Sequence, residues 1–165
     1  MSAQEVLTRP IEEEALFNPA FLALVVRAAA AEHEARSGGR GMPVILAYLV
    51  APLALHGPTR RALPNNVTAQ MGEWIRSHPG ALVDLPNNAR ALRPFVSAGL
   101  RLGLSHDVLE ARDGAIHARA LQRRPRGMAR SEDAEACIGK AGFLGRWFAE
   151  QSDPLTAMAW WGVRP

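Results

Sequence analysis

The sequence predicts a mainly α, single-domain fold with one small β-hairpin, and three observations lead to that prediction. The chain has 165 residues, of which 48% are hydrophobic, which is enough for one domain with a packed core. Apolar residues recur at helical spacing through most of the chain. One segment, 107–120, instead combines alternating apolar residues with an Asp113-Gly114 turn, as a two-stranded hairpin does.

The first half of the chain predicts helices separated by turns that contain glycine or proline. Asn18 is a favourable cap and Pro19 suits the first helical position. The second helix is apolar nearly all round, so we expect it to be buried on most sides. The predicted helices of this half span 19–36, 43–56, 59–63 and 68–77.

The second half predicts further helices on both sides of the hairpin. A stretch at 82–92 is weakened by Pro86, and Pro94 is expected to restart a helix that ends at 103. After the hairpin, a long helix is predicted at 132–150. Asp153 and the proline after it then start a short last helix that ends near residue 160.

The Asp113-Gly114 turn fixes the register of the hairpin. Ala111 pairs with Ile116 and Leu109 with Ala118 on an inner apolar face. The outer face carries the charged residues Glu110, Arg112, His117 and Arg119. Helices, a hairpin and another helix follow one another as in a winged-helix domain. An all-helical bundle to which the hairpin is an addition is the competing architecture.

This reading divides the chain into three parts. We expect residues 1–14 to form a flexible arm that ends in glutamates, and residues 15–130 to form the helical, winged-helix-like domain. We expect residues 131–165 to form a C-terminal helix and an aromatic docking tail.

The length of the longest apolar run, the order of residues at the N-terminus and the number of cysteines argue against several classes of protein. The longest apolar run, 44–55, is 12 residues and contains Pro52, whereas a membrane span needs about 20. The N-terminus lacks the basic-then-apolar order of a secretory signal, so we expect a cytoplasmic protein without a membrane partner. The single cysteine, Cys137, excludes an intrachain disulfide and a cysteine-based zinc site.

No motif for catalysis emerges. Gly139-Lys140 fails the phosphate-loop pattern because alanine occupies both position 134 and position 141. The five histidines form no metal-ligand spacing, and His33, between two glutamates, is expected on an exposed helix face. Cys137 falls on the apolar side of its helix, as a buried small side chain would. We therefore expect no enzymatic activity, no metal and no cofactor.

The basic residues are concentrated in the middle of the chain. Eighteen of the 19 are arginine, and the net charge is −2 over 1–58, +7 over 59–130 and −2 over 131–165. Such an asymmetry is typical of a surface that contacts phosphates. The alternatives are a solvated arginine face or an acidic protein partner. The candidate nucleic-acid-binding residues are Arg60, Arg61, Arg101, Arg112, Arg119, Arg123, Arg124 and Arg126.

Half of the ten aromatic residues lie within 143–161. Aromatic residues together with arginine are the usual anchors of protein interfaces, so this end is a candidate partner-binding surface. Core packing is the alternative. The candidate partner-binding residues are Trp147, Phe148, Trp160, Trp161, Val163 and Arg164.

Four motifs in order give the chain a family resemblance. Residues 14–24 begin with glutamate and continue through the letters NPAF; PLALH and TRRALP follow at 52–56 and 59–64. The end of the chain has LGRWFA at 144–149 and GVRP at 162–165. Together they resemble the middle components of three-component ABC systems over about residues 14–165. One departure is Trp161, where the family usually has leucine.

The resemblance implies a small, non-enzymatic, winged-helix-like adaptor. It would bridge an ABC ATPase similar to SMC or Rad50 proteins and an effector subunit, often a nuclease. Such systems, including Lamassu-like ones, are implicated in antiviral and anti-plasmid defence. Contact with DNA through phosphates is a separate hypothesis, which comes from the basic residues and not from the resemblance. The alternative from the residues alone is a free-standing winged-helix DNA-binding transcriptional regulator, which would form homodimers and prefer one DNA sequence.

Overall fold

The computed structural model describes residues 17–121 and 131–164, and this part of the chain is mainly helical with one small antiparallel sheet. The mainly α fold with a hairpin is therefore confirmed. The helices are α1 (Pro19–Ser37), α2 (Val44–Leu55), α3 (Gly57–Ala62), α4 (Met71–Ser77), α5 (Leu85–Ser105), α6 (Glu132–Ala149) and α7 (Pro154–Trp160). The strands are β1 (Met42–Pro43), β2 (Leu109–Arg112) and β3 (Ala115–Ala118), and a 3₁₀ turn covers Pro79–Leu82.

Helix α1 lies at the centre of the fold. Its start is fixed by the side chain of Asn18, which accepts a hydrogen bond of 2.8 Å from the backbone N–H of Ala20. Its end is fixed by Gly38, whose φ of 72° is a left-handed conformation that glycine adopts without strain. Between these caps α1 has its most extensive contacts with α6 and then with α5. The first helix is thus confirmed, with bounds within one residue of those expected.

The contact between α1 and α6 is unusually close because glycine faces backbone. A Cβ added at Gly145 would overlap the carbonyl oxygen of Ala29 on α1. Two ion pairs follow this point towards the C-terminal ends of both helices: Arg146 bonds Glu32 at 2.7 Å, and Arg36 pairs with Glu150. These pairs follow one another in the same order along both helices.

Helix α5 approaches a different side of α1, again through glycine. A Cβ at Gly99 would lie 2.9 Å from the Cβ of Leu22, and one at Gly103 would lie 2.7 Å from Leu109 Cδ1. Side chains at these positions would push α5 away from α1 and from the first residue of β2. Glycines on two helices therefore determine how closely α1 is enclosed.

The hairpin has the register expected from the Asp113-Gly114 turn. Leu109 pairs with Ala118 and Ala111 pairs with Ile116, and both turn residues have positive φ. Leu109 and Ile116 are buried, as expected of the apolar face. The register and the burial of these two side chains are confirmed, whereas Ala111, expected on the same inner face, is exposed.

Two further details of the sheet differ from expectation. Met42 and Pro43 form β1, which pairs with β3, so the sheet has the order β1-β3-β2. A strand of two residues has no alternation that a sequence pattern could reveal. The other difference is His117, expected on the outer face: its side chain is only 13% exposed and contacts Glu34 of α1. Glu34 also accepts the backbone N–H of Ala118 at 3.2 Å, which holds the sheet against α1.

Helix α5 is continuous, whereas the sequence predicts two helices broken before Pro94. Pro86 lies in the first turn, where its missing N–H costs nothing. Pro94 lies inside the helix but on its exposed side. Water can therefore reach the carbonyl of Arg90, which lacks its helical partner, and apolar residues on the opposite face hold the helix together.

His33 is also placed differently from expectation. It is 6% exposed rather than on an open face, and its Nδ1 donates to the carbonyl oxygen of Arg40 at 3.2 Å. Burial lowers the pKa of His33, so its neutral form is favoured. The flanking glutamates point to other partners, Glu32 to Arg146 and Glu34 to His117.

The glycine contact between α1 and α6 yields a stability prediction with an internal control. Gly145→Ala should lower the free energy of unfolding by about 1–3 kcal/mol, because the added methyl group must displace α6 from the Ala29 backbone. Gly139→Ala, on the same helix, has nothing within 4 Å of its added Cβ. It should instead raise stability by about 0.5–1 kcal/mol, since alanine is the better helix former. Urea unfolding followed by circular dichroism measures both; equal effects would contradict the close packing.

Candidate binding surfaces

Arg60 lies inside the protein, not on a basic surface. Its side chain is 7% exposed, and Nη1 donates to the carbonyl oxygens of Ala54 at 2.8 Å and Leu55 at 3.2 Å. The same nitrogen lies 3.1 Å from the sulfur of Cys137, and Nη2 pairs with Asp133. Both terminal nitrogens of the guanidinium are thus engaged between the end of α2 and the start of α6. The expectation that Arg60 contacts DNA is therefore wrong: a buried arginine that satisfies carbonyls cannot reach a phosphate.

Cys137 is fully buried beside Arg60. Burial raises the pKa of the Cys137 thiol to about 11, so the thiol is protonated at neutral pH. A protonated thiol without solvent access is a poor nucleophile. Its position agrees with the expected small buried side chain.

The remaining described arginines of the predicted basic patch are exposed, but they differ in their partners. Arg112 and Arg119 both lie beside Glu110, at 3.8 Å and 3.0 Å. The carboxylate therefore offsets part of their positive charge. Arg61 on α3 and Arg101 on α5 are exposed and have no hydrogen bond or ion pair within the described ranges.

Arg123, Arg124 and Arg126 fall outside the described residues, so the candidate basic loop after the hairpin stays a prediction. The hairpin does bring Arg112 and Arg119 together around Glu110.

The aromatic tail divides between core and surface. Trp147, Phe148 and Trp161 are at most 1% exposed. Trp147 donates its indole N–H to the carbonyl oxygen of Ala69 at 2.7 Å, and Trp161 lies 6.3 Å from it between ring centroids. The expectation that these three residues anchor a partner is therefore wrong, because each is already enclosed by its own chain.

Trp160, Val163 and Arg164 remain accessible at the end of the chain. Trp160 is 41% exposed and lies over Gly72 of α4, with ring atoms 3.6–3.7 Å from where a Cβ would be. Val163 is half-buried and Arg164 is exposed. Val163 and Arg164 follow a turn at Gly162, whose φ is 68°. The backbone N–H of Val163 donates a hydrogen bond of 3.1 Å to the carbonyl oxygen of Met158.

A basic cleft was missed by the reasoning from sequence. It is lined by Arg90 and Arg93 of α5 on one side and by Arg164 of the tail on another. The helical spacing could have revealed part of it, because residues 90, 93, 97 and 101 fall on one stripe of a continuous helix. The predicted break before Pro94 hid that stripe, and nothing in the sequence places Arg164 beside α5.

Two general properties of the described residues bear on function. No group of three or more His, Cys, Asp or Glu side chains in the described ranges could hold a metal ion. None of the described helices has both the length and the apolarity needed to cross a membrane.

Together, these features define a small, mainly helical protein with exposed arginines and a partly exposed aromatic tail as its candidate binding surfaces. A family model, described as ABC-three component (ABC-3C) system Middle Component 3, matches residues 7–165, so the chain belongs to this family. The resemblance carried by the NPAF, PLALH, TRRALP and LGRWFA motifs is thereby confirmed. Neither a curated protein nor a solved structure matches the chain.

The environment of Arg60 predicts a stability effect and no direct effect on DNA binding. Arg60→Met should lower the free energy of unfolding by about 1–3 kcal/mol, because buried carbonyls lose their donor. Arg61→Met, next along the chain but exposed, should change it by less than about 0.5 kcal/mol. Urea unfolding measures both variants. If Arg60→Met kept full stability and lowered DNA affinity, the structural role would be contradicted.

The two neighbouring tryptophans should differ sharply in their effect on folding. Trp161→Ala should cost about 3–5 kcal/mol as a core truncation, whereas Trp160→Ala should cost about 1 kcal/mol or less. Trp161→Phe should cost much less than the alanine change, because the buried Trp161 indole N–H has no hydrogen-bond partner within the described ranges. Thermal and urea unfolding test the series. A stable, folded Trp161→Ala protein would restore Trp161 as an interface candidate.

Proposed function

We propose that this chain is a non-enzymatic adaptor subunit that bridges an SMC- or Rad50-like ABC ATPase and an effector in a prokaryotic defence complex against phages and plasmids. The family match over residues 7–165 carries this proposal. The middle component of a three-component system has two other components to contact. A cytoplasmic location fits the role.

The structural roles of the cysteine and of three histidine side chains support an adaptor rather than an enzyme. Cys137 is buried and protonated. Three of the histidines are engaged in the protein's own structure: His33 with the Arg40 carbonyl, His56 with the Thr59 hydroxyl at 2.7 Å, and His117 with Glu34. In each case the partner serves to hold a turn, a helix start or the sheet. An enzyme would need such groups oriented towards a shared cavity.

We further propose that the fold is winged-helix-like. The order α1, β1, α2, then α5 and the hairpin β2–β3 supports this, as does the strand order β1-β3-β2. In this arrangement α5 corresponds to the helix before the wing, and the hairpin corresponds to the wing. Helices α3 and α4 are additions between α2 and α5, and α6 and α7 cover the other side of α1 and α2.

Contact with DNA phosphates is the second candidate activity. Arg101 on α5 and Arg112 and Arg119 on the hairpin are exposed at the two elements that a winged helix presents to DNA. Arginines on a wing reach the phosphate backbone, where contacts position the protein and carry no direct sequence information. Such contact would make binding nearly independent of sequence and strongly dependent on salt.

Co-expression with the ATPase and effector encoded beside it tests the adaptor role. Affinity purification of this chain should recover both other components in a stable stoichiometric complex. A free-standing regulator would instead purify as a homodimer that selects one DNA sequence from a random pool. The adaptor function would be overturned if the chain purified as a homodimer that prefers one DNA sequence and recovered neither the ATPase nor the effector.

The hairpin arginines yield a prediction about salt dependence. Arg112→Ala combined with Arg119→Ala should lower the slope of log K against log salt by up to about 2 for duplex DNA, while assembly stays intact. Arg76→Ala, an exposed arginine on α4, is the control and should leave the slope unchanged. Filter binding from low to moderate salt measures the slopes. An unchanged slope together with lost assembly would mean that these arginines face an acidic protein surface.

A further inference from the structure

A cleft of about 350 Å³ opens between three separate parts of the chain. Ile45 and Tyr48 of α2 contribute to one wall, and the first turns of α5 contribute another. The tail after α7 closes the third side through Val163 and Arg164. The volume lies near the lower end of the range for ligand sites, and it is enough for the side chains of a short peptide segment.

The rim of the cleft is positive, and the described residues that line it include no carboxylate side chain. Arg90 and Arg93 are exposed one helical turn apart on α5, and Arg164 lies on the tail. Within the described ranges the side chains of these three arginines make no hydrogen bond or ion pair, and no Asp or Glu is among the lining residues. Three uncompensated guanidinium groups around one concavity favour an occupant with several negative charges.

The floor of the cleft is apolar. Ala89 and Met158 are buried there, while Ile45 and Val163 are partly accessible. Tyr48 adds a ring whose hydroxyl is already engaged with the Ser97 hydroxyl at 3.0 Å. An occupant therefore gains by placing an apolar side chain on this floor.

The combination of rim and floor distinguishes between negatively charged partners. Duplex DNA presents phosphates on a convex surface with no apolar group that could fill a concavity of this size. Single-stranded nucleic acid prefers several open aromatic faces for base stacking, and the floor is mostly aliphatic. A peptide segment that alternates carboxylates with a large apolar residue matches both the charge and the floor.

We propose that this cleft binds an acidic peptide segment of another component of the three-component system, with carboxylates at Arg90, Arg93 and Arg164 and one apolar side chain on the floor. This inference rests on the proposed adaptor function. It assigns one of the adaptor's contacts to a defined place, distinct from the hairpin arginines.

The test uses the full chain and a fluorescein-labelled synthetic peptide that alternates glutamate with leucine. Fluorescence anisotropy should show salt-sensitive binding, which is lost when glutamine replaces glutamate in the peptide and weakened when alanine replaces leucine. Arg90→Ala with Arg93→Ala should reduce affinity roughly tenfold, equivalent to about 1.4 kcal/mol. Arg61→Ala with Arg76→Ala, which removes the same charge elsewhere, should reduce it by less than about twofold.

Three outcomes of these measurements would overturn the proposal that the cleft binds an acidic peptide segment of another component. Equal effects of the two arginine pairs would mean that only net charge matters. Tighter binding of a single-stranded DNA oligonucleotide than of the peptide, lost in the same cleft variant, would assign the cleft to nucleic acid. Severalfold stronger peptide binding after changing Glu12, Glu13 and Glu14 to Gln in the full chain would mean that its own acidic segment occupies the cleft.

Co-purification separates failure of the cleft from failure of the adaptor function. If the wild-type chain and the Arg61/Arg76 control recover the ATPase and effector but the Arg90/Arg93 variant loses one of them, the proposal is supported. If all three proteins recover both components equally, the proposed role of the cleft is overturned and the adaptor function stands. If the wild-type chain recovers neither, the adaptor function fails and the assignment to another component fails with it.

Discussion

The close approach of α6 to α1 at Gly145 and Ala29 is the constraint on which the rest of this structure depends. It allows the backbones of the two helices to touch, and the pairs of Glu32 with Arg146 and Arg36 with Glu150 follow it in the same order along both helices. Because α6 is held there, its first turn lies where Asp133 can meet Arg60, and its last turns carry Trp147 into the core. A helix that follows the hairpin in sequence is thereby made part of the same core as α1 and α2.

The arginines of this chain show that residue type and net charge do not determine a role. Arg60 is buried and satisfies carbonyls at the end of α2, whereas Arg119 shares Glu110 with a neighbouring arginine on the hairpin. Arg90 and Arg93 have no partner within the described ranges and line a cleft. The net charge of +7 over residues 59–130 counts arginines from all of these environments alike. The guanidinium groups of Arg90 and Arg93 have no carboxylate partner within the described ranges, so their charge is more available to a partner than that of the paired arginines.

The features that the sequence predicted well are those set by neighbouring residues. The Asp113-Gly114 turn determines the hairpin register locally, and Asn18 and Asp153 cap helices through side chains that bond amides two or three residues away. The features that it did not reveal depend on distant partners. The pairing of Met42 with Ile116 joins residues far apart in sequence. The continuity of α5 past Pro94 follows from packing against α1, and the cleft needs a tail whose position only the fold defines.

In the tail, a buried residue determines where the more accessible residues directly after it lie. Trp161 is enclosed near Trp74 and Trp147, and the turn at Gly162 immediately after it directs Val163 and Arg164 to the cleft beside α5. An arginine on an unanchored tail would lose conformational entropy whenever it held a carboxylate. Here the neighbouring buried tryptophan has already restricted the backbone during folding. Trp161, which the sequence suggested as a partner contact, thus has a structural role instead: its burial restricts the backbone that places Val163 and Arg164 beside α5.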